Sequence, residues 1–126
     1  MNVTWNETKI KVLSDKLLKK LKVRGATLDI FLLGNREMTA LKARFIKKKT
    51  EPNVLAFPEP ARFPHPEMKK KYLGEIYLNR DILKKSPERA TPLLLHGTLH
   101  LLGYDHKKPS DMKDMEGMEA KILKRL

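Results

Sequence analysis

The segment His96-Gly97-Thr98-Leu99-His100-Leu101-Leu102-Gly103-Tyr104-Asp105-His106 constrains the fold of this chain more than any other. Three of its four histidines fall within these eleven residues. His96 and His100 are four apart, a spacing that puts both imidazoles on one face of a helix, about one turn from each other. Leu95, Leu99 and Leu102 make a separate stripe that would pin this helix to a core. Gly103 stands where the helix must stop, because glycine takes the left-handed conformation of a C-terminal cap without steric cost. The turn it permits would swing His106 back toward the first two histidines. The chain is therefore expected to build a largely apolar helix that ends in a tight turn.

Three neutral imidazoles meeting at one point form the ligand set of a catalytic zinc whose fourth position is left to water, one Zn2+ per chain. A structural zinc site would want a fourth protein ligand, usually cysteine, and the chain contains none. Asp105 is the alternative donor, awkwardly placed beside His106. Tyr104 and Asp105 are otherwise candidates to orient ligands or water from behind, and Asp105 has the simpler option of bonding the turn after Gly103. The same histidine spacing occurs in metzincin proteases, which carry a glutamate directly after the first histidine as general base. Here that position is Gly97. A minimal zinc peptidase is disfavoured on that residue.

The rest of the chain reads as one domain, residues 1–126. Ile10, Leu13, Leu17 and Leu21 predict an amphipathic helix over Thr8–Lys22, ended by Arg24–Gly25. Leu28–Leu33 reads as a buried strand, Met38–Lys48 as a basic helix, and Val54–Phe57 as a strand between Pro52 and Pro58. Pro58, Pro60, Pro64 and Pro66 mark a surface loop, on which His65 is read as a solvated residue. Gly74 is expected to open a strand over Glu75–Leu78, and Leu93–Leu102 to form the histidine helix. Met112, Met115, Met118 and Ile122 predict the buried stripe of a last helix, capped by Ser110 or Asp111. The expected class is α+β, with a central mixed sheet flanked by helices and the zinc site on a helix and its following turn.

Charge points to the partner. Lys and Arg total 27 against 15 Asp and Glu, a formal net charge of +12. No apolar run approaches the roughly 18–20 residues of a membrane span, and the first twenty residues lack a signal-peptide core. A cytoplasmic protein with a polyanionic partner is expected. Lys107 and Lys108, next to a candidate metal ligand, and Lys48 and Lys49 are the candidate contacts to the phosphates of that partner, with Lys69–Lys71 a further run. The few aromatics show no base-stacking pattern.

HGTLHLLGYDH resembles the signature of the YbeY family of bacterial endoribonucleases, H-G-x-L-H-L-x-G-Y-D-H, at every fixed position. Asn53-Val54-Leu55-Ala56-Phe57-Pro58 is similar to that family's D/N-V-L-S-F-P strand, Leu73-Gly74-Glu75-Ile76 to its L-G-D-I strand, and Met115–Glu119 to its terminal helix. The resemblance implies an α+β fold and a zinc site of His96, His100 and His106. It also implies metal-dependent cleavage of single-stranded RNA, in maturation of the 16S rRNA 3′ end and in ribosome quality control on the small ribosomal subunit. Two positions depart from the pattern. The family arginine ahead of the V-L-S-F strand falls on Ile46, flanked by Arg44 and Lys47, which become the candidate catalytic cations. The family serine is Ala56. The competing reading is a basic ribosome-assembly factor that binds rRNA, holds a structural metal and has little catalysis. No oligomeric state follows from the sequence.

Overall fold

A computed structural model describes residues 4–45, 53–59, 71–104 and 108–126. Within them the elements are α1 (Glu7–Lys20), β1 (Ala26–Leu33), α2 (Asn35–Phe45), β2 (Val54–Pro58), β3 (Lys71–Asn79), α3 (Arg80–Lys85), a 3-10 turn at Pro87–Arg89, α4 (Ala90–Leu101) and α5 (Pro109–Arg125). Three strands form one mixed sheet in the order β1-β3-β2, with β1 parallel and β2 antiparallel to β3. The expected α+β class and mixed sheet are what the chain builds.

Alternation along the strands explains the layering. Leu28, Ile30 and Leu32 of β1, Val54 of β2 and Ile76 and Leu78 of β3 are buried on the face that receives α4 and α1. Residues between them point the other way, where Tyr77 stacks on Phe31 with ring centroids 5.1 Å apart and meets Phe57 edge-on at 5.7 Å. Such cross-strand aromatic pairs are a main unit of sheet stabilisation. Nearest the sheet lies α4, whose Leu94, Leu95 and Leu99 are fully buried. It can come this close because residue 97 is glycine. A Cβ there would stand 3.2 Å from side-chain carbons of both Ile76 and Val54. Gly97 thus faces the sheet, not the histidines, and a glutamate there would be driven into the core.

Element boundaries shift from the sequence expectations for identifiable reasons. Asn6 caps α1 through its side chain, accepting from the Lys9 N–H, so the helix starts at Glu7. Its end comes before Arg24–Gly25. Lys22 takes φ 61°, and the Val23 and Lys22 N–H groups return to the carbonyls of Leu18 and Lys19. That is a Schellman motif built on a lysine. Gly74 does not open β3 but lies inside it, at φ 136°, next to a register shift against β1. A Cβ at this position would be 2.2 Å from the Phe57 carbonyl oxygen. In α5, Met112 is 44% exposed and the buried positions are Met115 and Ile122, with Lys108 at the N-cap and Pro109 in the first turn in place of a Ser110 or Asp111 cap. The short helix α3 lacks enough turns to show periodicity. It is nucleated by Asn79, whose side chain accepts from the Asp81 and Ile82 N–H groups and donates to Asn35.

Candidate metal centre

The site is built at the C-terminal end of α4. That helix stops because Gly103 takes φ 103°, letting the Tyr104 N–H reach the Leu99 carbonyl and the Gly103 N–H reach the His100 carbonyl. The reversal turns the Tyr104 carbonyl back over the last helical turn, 3.0 Å from His100 Nδ1. A carbonyl oxygen can only accept, so Nδ1 carries a proton, and in the neutral ring Nε2 is then the nitrogen with the lone pair. The cap that ends the helix therefore also selects the tautomer of His100. Tyr104 acts here through its backbone carbonyl.

His96, one turn earlier, meets His100 edge to face, with ring centroids 4.7 Å apart and 82° between the planes. Their Nε2 atoms lie 3.2 Å apart. On its other side, His96 Nδ1 faces Glu119 Oε1 of α5 at 3.5 Å. Both rings are half-buried, on the flank of a helix whose Leu95 and Leu99 are fully buried. The sequence does not single out Glu119, although a signal exists. It lies four residues after Met115 and three before Ile122, so a carboxylate interrupts the apolar stripe of α5.

The donor set suits a zinc ion. At Zn–N distances of about 2.0–2.1 Å, a tetrahedral centre holds neighbouring nitrogens roughly 3.3 Å apart. The 3.2 Å between the Nε2 atoms of His96 and His100 matches that separation. Among the described residues no group of three or more His, Cys, Asp or Glu is arranged to hold a metal. His106, the third expected ligand, lies outside the described residues, as do Asp105, Lys107, Lys47, Lys48, Lys49, His65 and Ile46. Of the candidate cations, Arg44 is exposed in the last turn of α2 and Lys108 is exposed at the N-cap of α5. Next to the Gly103 turn is a cleft of about 260 Å³ lined by Leu102, Gly103, Tyr104, Asp111 and Asp114. Its two carboxylates set it against phosphate oxygens.

Comparison with known proteins bears on the family of the chain. A family described as Endoribonuclease YbeY matches residues 2–126. A protein named Endoribonuclease YbeY from Ehrlichia canis (strain Jake) is 33% identical over 108 residues, covering 79% of this chain and 66% of its own. Proteins of the same name from Rhizobium meliloti (strain 1021) and Legionella pneumophila (strain Corby) are 32% and 35% identical, over 84% and 82% of this chain. The chain thus spans about two thirds of the length of the curated relatives it matches, 66% in the Ehrlichia canis protein.

Proposed function

This chain belongs to the YbeY endoribonuclease family, and from that premise we propose that it hydrolyses phosphodiester bonds of single-stranded RNA at a zinc ion held by His96, His100 and His106. The proposed substrate is rRNA, at the 3′ end of 16S rRNA on the small ribosomal subunit, in the cytoplasm. One observation carries the reading: two Nε2 atoms 3.2 Å apart, with the Nδ1 of each ring turned to an acceptor. Rings held this way present lone pairs to a cation without reorganising, and that preorganisation is what a catalytic metal site requires.

When bound, zinc would polarise a phosphoryl oxygen and lower the pKa of water toward 7. The protein's own part is to orient and to bind. The Tyr104 carbonyl holds His100 in one tautomer. The net charge of +12 draws the RNA backbone in, and Lys108, beside the histidine turn, is positioned to hold a phosphate as a point charge. With Gly97 directly after His96 in the chain, the glutamate that zinc peptidases of this spacing carry at that position is missing, which separates this site from them.

Metal content and cleavage together test the proposal. Purified protein should carry about one equivalent of zinc and cut a single-stranded RNA, and His100→Ala should lose both properties while still binding the RNA in a salt-dependent way. Equal cleavage by the two proteins would rule out this site as the source of the activity. RNA binding without cleavage by the zinc-loaded wild type would favour the assembly-factor reading.

A further inference from the structure

Glu119 occupies a position that its neighbours make apolar. Met115 and Ile122 on the same stripe of α5 are 2% and 1% exposed, and Met118 packs against the core. A carboxylate at such a position loses part of its hydration, and that is unfavourable unless a hydrogen-bonding or charged partner replaces the water. The partner is His96 Nδ1, 3.5 Å from Oε1, with the Glu119 side chain 24% and the His96 side chain 31% exposed. His96 is not the end of this chain of contacts, because its far nitrogen faces His100 Nε2.

We propose that Glu119 is a positioning residue of the metal centre. Its carboxylate accepts from Nδ1–H of His96 and so leaves the Nε2 lone pair aimed at the point that His100 Nε2 also addresses. The inference rests on the reading of these histidines as metal ligands and names a residue that acts behind them. The two rings are oriented by different devices. His100 is held locally, by the carbonyl its own helix cap turns back. His96 is held from another helix, so its orientation exists only when α5 is docked on α4. A carboxylate behind a ligand imidazole also raises its basicity, and losing such a partner weakens metal binding by about 10- to 100-fold. By linkage, metal binding should in turn favour the docked position of α5.

The test uses the full chain as wild type, Glu119→Ala, Glu119→Gln and, as a control on the exposed face of α5, Glu116→Gln. Zinc affinity is measured by competition with a chromophoric chelator, the ligand field by the visible spectrum of the Co2+-substituted protein, and folding by denaturation of the metal-free protein. Glu119→Ala should lose about 10- to 100-fold in zinc affinity and show an altered Co2+ spectrum. Glu119→Gln, whose amide oxygen still accepts from Nδ1, should lose less, and Glu116→Gln should match wild type. Glu119→Gln is close to isosteric, so a poorly folded Glu119→Ala still leaves a decisive measurement. If the metal-free stability of both Glu119 variants falls while their zinc affinity and Co2+ spectra stay those of wild type, Glu119 is only a structural ion-pair partner and the inference is overturned alone. Wild type that takes up no metal would overturn the metal reading of the histidines and this inference with it.

Discussion

Glycine has three distinct uses in this molecule, and the differences show what a single residue can decide. Gly97 is chosen for space, because a methyl group there would press on Ile76 and Val54. Gly103 is chosen for its dihedral angle alone, since nothing lies within 4 Å of where its Cβ would be. Gly74 has both reasons, a φ of 136° and a backbone oxygen 2.2 Å from the missing Cβ. The substitutions should rank accordingly. Gly103→Ala should cost about 1–2 kcal/mol, the price of a left-handed alanine. Gly74→Ala must also push β2 from β3, so the sum of strain and overpacking should reach about 3 kcal/mol or more. Urea denaturation of the two variants checks the order, and equal losses would contradict it. The role of Gly103 as a helix stop is legible in the sequence, because the histidine spacing before it predicts a helix. The role of Gly74 is not, because its crowding comes from a strand distant in the chain.

At the scale of elements, the helices follow their apolar periodicity, and their ends follow local chemistry that periodicity does not contain. The end of α1 is the clearest case. Gly25 looks like the natural stop, yet Lys22 takes the left-handed position three residues earlier because Leu18 and Val23 meet there through a backbone hydrogen bond of 2.9 Å. A side chain at that position works against the cap. Lys22→Gly should therefore stabilise the protein, by about 0.5–1 kcal/mol after the greater freedom of glycine in the unfolded chain is subtracted. A thermal midpoint unchanged or lowered by this substitution would show that the lysine side chain contributes something the cap geometry does not reveal. The same limit applies to α5. Its apolar stripe is readable as a repeat of methionines and isoleucine, but which methionine is buried depends on how α5 packs against α4 and α1, and Met112 stays 44% exposed.

For the molecule as a whole, two tyrosines on the sheet face turned away from α4 contribute to the response to alkali. Tyr72 donates to Asp29 across β3 and β1 at 2.7 Å, and Tyr77 donates to Glu75 at 3.0 Å. Burial, then the hydrogen bond to the carboxylate, pushes both phenols above the ordinary tyrosine range. A group with a raised pKa in the folded state stabilises fully below its unfolded value, near 10, and loses that contribution as pH climbs toward the folded one. Between the two, the folded protein holds more protons than the unfolded chain, so stability must fall with rising pH. Tyr72→Phe should flatten part of that decline between pH 9 and 11, as read by urea midpoints. An unchanged slope would mean that the Tyr72–Asp29 contact has no energetic weight.

The sequence by itself determined the parts of this protein that are local. The four-residue spacing of His96 and His100 puts both rings on one helix face, and Gly103 ends that helix, because a helix repeat and a left-handed cap are properties of a few consecutive residues. The α+β class and the family are also legible there, since strand alternation and the eleven-residue motif lie in uninterrupted stretches. Only the tertiary structure decided that Glu119 faces His96, that Gly97 lies against Ile76 and Val54, and that Gly74 is pressed by Phe57. Each of these depends on how two elements distant in the chain approach each other, and that approach is set by the packing of the whole core and by no single segment's pattern.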